Sequence, residues 1–501
     1  MSHTANRFHQ IDWNDQALFL SLDESWVEST ENARLEFCPL EKNPGGPVLI
    51  PSEDWEGGQN GDARPRQQDP FMASIVRDLE TGHYLLWYNT ANRLIGWVSD
   101  PAMGKNPPVL SSGGGSRCCF ATSADGIEWV KPDLGLVSYF GSRANNMFAL
   151  PGAPLLSDHL SGVLPTRHEG AQAPLAGTIY SQFLDPVYSS GITQLYSGDG
   201  LNWNLHYPPT LPLDGDAHCL MWDAGTSSYL LTTRSAQHIR VYSRLRAQGV
   251  KLPDKRHISL ARSRDLVHWT PLLDILEADD KDPDNAQFYL MYVVPYGNLY
   301  IGFLQVFLMG KTMSDGPLET QIAISRDLVN WKRAGGRQPF IGSDGPGTWD
   351  GAHTTLTCTP PFAEGDRLRF WYSGKDTEHW QIGNSALGTG TIRRDGFACW
   401  RSDGEGSVTS VPLSINWASW PELNILAPEG AVWMEILDEA GNPIPGLART
   451  DCEPLTGNEI RAICKFASPR GTFLRHTGRI RLRFHLKDAR LYAFRAPNVS
   501  T

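Results

Sequence analysis

Positive charge is in short supply: across 501 residues, 44 Lys and Arg stand against 55 Asp and Glu, a formal net charge of -11. Duplex nucleic acid and anionic membranes are held by broad basic fields, so neither is expected as a partner. The first ten residues lack the apolar stretch of a secretion leader, and a cytoplasmic location is expected. Long apolar runs are scarce too. One stretch, Ala286 to Gly310, carries no charge over 25 residues, but Pro295, Gly297 and Asn298 split it into strand-length halves, Phe288 to Val294 and Leu299 to Leu308. It reads as a buried β-hairpin and not as a membrane span. The eight cysteines (38, 118, 119, 219, 358, 399, 452, 464) form no CxxC pair and no disulfide-like ladder, so buried free thiols are expected. HExxH, GxxxxGK[ST] and GxSxG are absent, and no GxGxxG lies between a strand and a helix, which disfavours zincin, P-loop, α/β-hydrolase and Rossmann chemistry. Amphipathic helical periodicity is also rare.

What the chain has is a repeat. Ser123-Ala-Asp125-Gly-Ile-Glu-Trp129 recurs as Ser197-Gly-Asp199-Gly-Leu-Asn-Trp203, Ser263-Arg-Asp265-Leu-Val-His-Trp269 and Ser325-Arg-Asp327-Leu-Val-Asn-Trp331, with a decayed fifth copy around Asp395. The aspartates lie 74, 66, 62 and 68 residues apart, long enough for one four-stranded sheet per period. Ser and Asp two residues apart bond the amides of a tight turn, Gly tolerates positive φ, and Trp packs over the hairpin. Strand–turn–strand signals stand upstream, with Asp78 and Asp223 as hairpin-turn residues. The expected fold is all-β, a five-bladed β-propeller over residues 61–405 followed by a C-terminal β-sandwich over 406–501, where period-two alternation returns (Val432 to Leu437, Arg479 to Leu486). Residues 1–60 hold strand-like lead-in segments that either close the ring or dock on the sandwich; both stay open.

Inner strands of a propeller converge on one channel, so polar residues at their starts meet there. Blade one offers Asp69, blade three Asp216 and His218, blade four Gln287 and Tyr289, blade five Trp349, Asp350 and His353. Blade two offers Glu169, upstream of its expected inner strand Gly177 to Ser181. Glu378, His379 and Trp380 follow a blade-five strand. His218, Gln287, Tyr289, His353 and His379 suit hydrogen bonds to sugar hydroxyls, and Trp349 and Trp380 suit stacking on a sugar face; each also has a plain packing or network role. No motif demands a metal, although channel carboxylates could hold Ca²⁺.

Several segments carry a resemblance: Phe19 to Glu28, Pro47 to Pro51 with Trp55-Glu56, Asp125 to Val137 with Asn145-Asn146, Ala286 to Tyr289, and Leu482 to Phe494. Together they resemble bacterial proteins similar to glycoside hydrolase family 32, over nearly the whole chain. The resemblance implies a propeller as in families 32, 43 and 68, and cleavage of a glycosidic bond in a small oligosaccharide or glycan end, with no cofactor required. That chemistry needs two carboxyl groups across the scissile bond. Asp69 matches the blade-one nucleophile or base, and Asp216 and Asp350 come next as transition-state stabiliser and partner. The chain departs from the family-32 pattern at the proton donor: neither a clean Arg-Asp-Pro nor a Glu-Cys motif is present, leaving Glu169 and Glu378 as candidates. The rival expectation is a non-catalytic carbohydrate-binding propeller; a lyase or phosphorylase reusing the pocket is a third. Homo-oligomerisation is left open.

Overall fold

The computed structural model describes residues 7–56, 68–91, 116–139, 141–150, 156–181, 191–206, 210–212, 217–234, 255–310, 316–379, 381, 383–415, 420–467, 479–496 and 499–500. Within them the chain is all-β, broken only by short 3-10 turns such as Glu24–Trp26 and Arg449–Asp451. No described helix is long and apolar enough to cross a membrane.

Four-stranded antiparallel meanders succeed one another along the chain. The first runs Gln68–Asp78, Tyr84–Ala91, Ser116–Ser123, Trp129–Val130, and the second Leu156–Pro165, Leu175–Ser181, Gly191–Ser197, Trp203–Leu205. The third runs His218–Asp223, Ser228–Arg234, Ile258–Ser263, Leu273–Leu276. The fourth opens with the expected hairpin, Ala286–Gly297 and Leu299–Leu308, buried almost throughout, and adds Leu318–Ser325 and Lys332–Arg333. In the last, His353–Leu356, Arg367–Lys375 and Ser385–Arg393 are joined by Glu41–Lys42 from the lead-in, which pairs with Gly390 and Thr391. The first strands of the first four meanders lie against one another in turn, His353–Leu356 lies against Leu299–Leu308 and Leu318–Ser325 of the fourth and returns to Gln68–Asp78, so the sheets close into a β-propeller.

The repeat works as its chemistry requires. Ser123 Oγ accepts from the Gly126 amide at 2.8 Å, and Asp125 Oδ1 accepts from the amides of Ile127 and Glu128 at 2.9 and 2.8 Å. The other three copies repeat these bonds. Amide donors hold the carboxylates of Asp125 and Asp327 below the usual range. The residue after Asp takes positive φ in every copy, as Gly in two and Leu in two: Gly126 +76°, Gly200 +80°, Leu266 +67°, Leu328 +68°. Glycine stands where a tryptophan of the preceding meander covers the turn. Trp371 Nε1 donates to Gly126 O (2.8 Å) and Trp87 Nε1 to Gly200 O (2.6 Å), and a Cβ at either glycine would come within 2.6 or 2.5 Å of that ring. In the other two copies a buried leucine occupies the position. The degenerate Asp395 turn leads from Ser385–Arg393 into the sandwich strand Ala398–Ser410, and its carboxylate accepts from Tyr296 OH at 2.6 Å.

The lead-in does both things left open. Phe8–His9 pairs with the end of Gln68–Asp78, Trp13–Asn14 runs parallel to Tyr296–Gly297, and Gln10 Nε2 reaches the carbonyls of Ile75 and Val163, so this segment straps the rear of the channel. Leu18–Leu20 then joins Ile480–Arg495, and Val27–Glu31 and Arg34–Phe37 join Ala398–Ser410 in the sandwich. There Glu422–Asp438 and Ile480–Arg495 carry register shifts that let the sheet fold over a core including Trp26, Phe484 and Phe494.

Two expectations need correction. Cys219 and Cys358 are not free thiols but a disulfide, Cα–Cα 5.8 Å, which joins the inner strand of the third meander to the segment leaving the inner strand of the last. Neither spacing nor a motif marks this pair, because 139 residues separate partners that only ring closure brings together. Second, the inner strand of the second meander is Leu156–Pro165, not Gly177 to Ser181, which lies in the next strand outward. The polar run Ser157-Asp158-His159 hides the alternation of an inner strand. Around the disulfide the axis is filled: the Cys358 amide donates to Ala73 O (2.9 Å), the Ile75 amide to Thr359 Oγ1 (2.8 Å) and Ser161 Oγ to His218 O (2.9 Å). Among the described residues the channel is therefore filled at the level of the disulfide.

Candidate site at the funnel mouth

The mouth is framed by the starts of the inner strands and by the loops that join second to third strands. Asp69 lies in the first of these strands with its backbone opposite Asn89; its side chain, like Asp216 and Trp380, lies outside the described residues. Asn89 is itself a clamp, its amide bonding Leu160 O (3.1 Å) and accepting from the Leu160 amide (3.3 Å), which ties the first two meanders together beside Asp69.

Between the fourth and last meanders the mouth is well defined. Tyr289 sits at a bulge, where pairing shifts register between Phe288 and Leu290. The guanidinium groups of Arg234 and Arg256 lie 4.7 and 5.6 Å from its ring centre, and the His379 ring meets it edge-on at 4.8 Å. Arg234 ends a second strand and Arg256 precedes a third. His379 belongs to the loop after Arg367–Lys375, which Lys375 organises: its Nζ donates to the carbonyls of Glu378 (3.2 Å), His379 (3.1 Å) and Gln381 (2.5 Å). Asp376 closes the loop base by accepting from the amide and side chain of Asn384 at 2.7 and 2.8 Å. Glu378 on this loop is half-buried and accepts from Gln381 Nε2 at 3.0 Å.

Beneath the loop, His353 starts the innermost strand, 6.0 Å from His379 ring to ring. It is 7% exposed, yet neither ring nitrogen has a hydrogen-bond partner among the described residues. Gln287, 2% exposed, donates to Met309 Sδ (3.1 Å) and leaves its carbonyl oxygen without a partner. Burial, with Lys375 nearby, pushes the His353 imidazole down to about 3; burial and then His353, Lys375, Arg256 and Arg234 push His379 down to about 2. Both rings are therefore neutral at ordinary pH, each with one donor and one acceptor nitrogen. Buried polar groups without a partner carry a cost of about 1–3 kcal/mol each, and among the described residues the His353 nitrogens and the Gln287 carbonyl oxygen are such groups.

The remaining candidates stand elsewhere. His218 is deeper, fully buried, with Nε2 3.1 Å from Thr178 Oγ1. Asp350 is fully buried but turned onto the blade face, where it accepts from Lys42 Nζ (2.6 Å) and Tyr372 OH (3.1 Å). Trp349 lies against the Tyr372 ring, 5.5 Å away, over the backbone of Gly374 and Gly388. Glu169 occupies an exposed turn between Leu156–Pro165 and Leu175–Ser181, at the end of the ring opposite the mouth. The earlier placement followed from taking the wrong inner strand. Conversely, Arg234, Arg256 and Lys375 did not stand out in the sequence; the available signal was a basic residue at a second-to-third strand junction in each case. Among the described residues no cluster of His, Cys, Asp and Glu is arranged to hold a metal ion.

Trp55-Glu56 and Asn145-Asn146, two of the segments behind the resemblance, form one buried network. Glu56 accepts from Tyr88 OH (2.6 Å) and Lys131 Nζ (2.5 Å), while Asn146 bonds Tyr88 OH and Trp55 Nε1 at 2.8 Å each.

No family model matches the chain, and no curated protein matches it in sequence. Among solved structures it is similar to a β-1,2-mannobiose phosphorylase from Listeria innocua (11% identity, 71% of this chain and 96% of that one, TM-score 0.47). It is also similar to a family-32 β-fructofuranosidase of Bombyx mori (13%, 91% and 95%, TM-score 0.42) and to a thermostable family-43 glycoside hydrolase (11%, 65% and 92%, TM-score 0.40).

Proposed function

We propose that the chain is a glycoside hydrolase whose five-bladed propeller, which precedes the sandwich strand Ala398–Ser410, binds an oligosaccharide end in the funnel, with the sandwich and the lead-in as its support. The observation that carries this reading is the buried, neutral imidazole of His353, both of whose nitrogens lack a partner among the described residues, together with the open carbonyl oxygen of Gln287. Sugar hydroxyls both donate and accept, and buried groups that do the same are matched to them. In this reading Asp69 attacks the anomeric carbon or activates water, Asp216 steadies the developing positive charge, and Glu378, the described mouth-loop carboxyl, protonates the leaving oxygen. Asp350 acts through Lys42 and Tyr372 in holding the strand start that carries His353. The test is a screen of aryl glycosides and oligosaccharides, followed by Asp69→Asn on any substrate turned over. A loss of about 10²–10⁴ in kcat is expected; unchanged turnover would remove Asp69 from the mechanism.

The second reading, a carbohydrate-binding propeller without turnover, is favoured by the burial of Asp350 in its pair with Lys42. Saturable glycan binding with no cleavage across the same panel would select it.

A further inference from the structure

Two of the free thiols are neighbours where lead-in, ring and sandwich meet. Arg34–Phe37 pairs antiparallel with Ala398–Ser410, Glu36 opposite Cys399 and Phe37 opposite Ala398, and the Cys38 amide continues the ladder by donating to Phe397 O at 3.0 Å. Residues two apart on a strand share a face, so Cys38 stands on the face of Glu36, diagonally across from Cys399. The two side chains hydrogen-bond to each other, and the Cys38 sulfur lies 3.8 Å from Glu36 O. Their surroundings are unequal. Cys38 is partly exposed, just past the end of its strand and before Pro39, whereas Cys399 is fully buried. The bond from Cys399 holds the Cys38 thiol below its ordinary range, helped by Arg490 and opposed by burial, Glu36 and Glu41; the same bond and burial push Cys399 up. The thiolate is the nucleophile in sulfur chemistry, so an accessible nucleophile is set beside a thiol that keeps its proton. Cys452 and Cys464 differ: both lie in the sandwich core, and burial pushes both thiols up.

Independently of what the mouth binds, we infer that Cys38 and Cys399 form a reversible redox pair, a modification site at which hydrogen peroxide converts two thiols into a disulfide. The Cys38 sulfur attacks one peroxide oxygen, the O–O bond breaks, and the departing hydroxide takes the thiol's proton as water, leaving a sulfenic acid. The Cys399 sulfur then attacks the Cys38 sulfur; the S–S bond forms as the S–O bond breaks, and the Cys399 proton leaves with the hydroxyl as a second water. The thiols lose two electrons, the peroxide gains them, and a dithiol reductant reverses the change. Cys38 lies between Arg34–Phe37, which the lead-in gives to the sandwich, and Glu41–Lys42, which it gives to the ring. Cys399 lies in the strand by which the chain enters the sandwich. Oxidation therefore fastens covalently a crossing that non-covalent contacts hold in the reduced chain.

For the test, the full chain is reduced with dithiothreitol, freed of it, treated with hydrogen peroxide and quenched at intervals with iodoacetamide, and its peptides are mapped by mass without reduction. The expected product is a Cys38–Cys399 cross-linked peptide, lighter by two hydrogens than its separate parts. It should form about tenfold or more faster than Cys452 or Cys464 is oxidised, and disappear on renewed reduction. Cys399→Ser should stop at a Cys38 sulfenic acid that dimedone traps, and Cys38→Ser should lose both products, with melting of each reduced variant as the check that it is folded. The oxidised parent should melt a few degrees above the reduced one, a shift that Cys38→Ser does not show. Oxidation of Cys38 in the parent without a cross-link would overturn the pair, and oxidation no faster than at Cys452 and Cys464 would overturn the site. A cross-link that leaves the melting temperature unmoved would overturn its part as a fastening.

Discussion

At the rear of the ring the lead-in segment brings its polar groups to partners: Trp13 Nε1 donates to Pro361 O at 2.9 Å, Gln10 bridges two inner strands, and the Arg7 guanidinium closes on Asp78 at 2.6 Å. At the mouth, His353 and Gln287 are as deeply buried, yet both His353 nitrogens and the Gln287 carbonyl oxygen have no partner among the described residues. The same architecture supplies both ends, so the difference comes from residue choice. A chain selected for stability alone would fill or pair such atoms; leaving them open is what a binding site costs. The Asp350 corner sharpens the contrast, because it stands near the mouth in sequence but is built like the rear, with Lys42 and Tyr372 closing on its carboxylate.

Substitutions at the two ends should therefore separate stability from binding. The largest effect is expected at Trp13, 8% exposed and stacked on Tyr296 at 5.1 Å. Trp13→Ala should cost about 3–5 kcal/mol in denaturant unfolding and leave ligand affinity in the folded fraction unchanged. Next is Lys42→Ala, which strands a buried carboxylate and should cost about 3 kcal/mol or more, with Lys42→Ala/Asp350→Asn recovering much of the loss; equal costs for the single and double variants would show that the pair does not matter.

Acidification tests the mouth itself. An unfolded histidine titrates near 6.5, whereas folded His353 and His379 stay neutral until about 3 and about 2. Below pH ~6.5 the unfolded chain therefore binds the extra protons, and stability that is complete above that pH should fall steadily toward pH 3. The melting temperature of a His353→Gln/His379→Gln variant should depend less steeply on pH over that window; an unaltered slope would mean that the rings are not neutral in the fold. The smallest stability effect is expected for His353→Leu at neutral pH, within about 1 kcal/mol of the parent or on the stable side, because it removes open polar atoms and no bond. Saccharide affinity should nevertheless drop about tenfold or more.

Much of the ring was legible because its determinants are local. Four Ser-x-Asp turns announce four third-to-fourth strand junctions, and Pro295 to Asn298 announces one hairpin. What was illegible depends on closure. Nothing local to Glu41–Lys42 says that it will serve as the outer strand of the last meander, and nothing near Cys219 names Cys358. The site was legible as a set of strand-start positions, which placed Gln287, Tyr289 and His353 in one region, with His379 on the loop after a blade-five strand. Which way a strand-start side chain turns is a tertiary matter: Asp350 folds back onto Gly374 and Tyr372 because the two glycines of that face leave room for Trp349 and for its own Cβ. Arg234 and Arg256 escaped notice because a basic residue beside a loop is ordinarily only solvated surface.

The threading of the lead-in also has a consequence for synthesis. Leu18–Leu20 finds its strand partners at Ala493–Arg495, and Glu41–Lys42 finds its own near Thr391. At roughly 5–20 residues per second, the first strands to leave the ribosome wait for about half a minute to a minute and a half before their last partner exists. The meanders can form in order as they emerge, and the strap and the final outer strand can join once residues 297 and 391 exist, but the sandwich must be fitted afterwards, and a nascent chain stalled before residue 480 would hold a fastened ring without the strand on which the sandwich sheet is built.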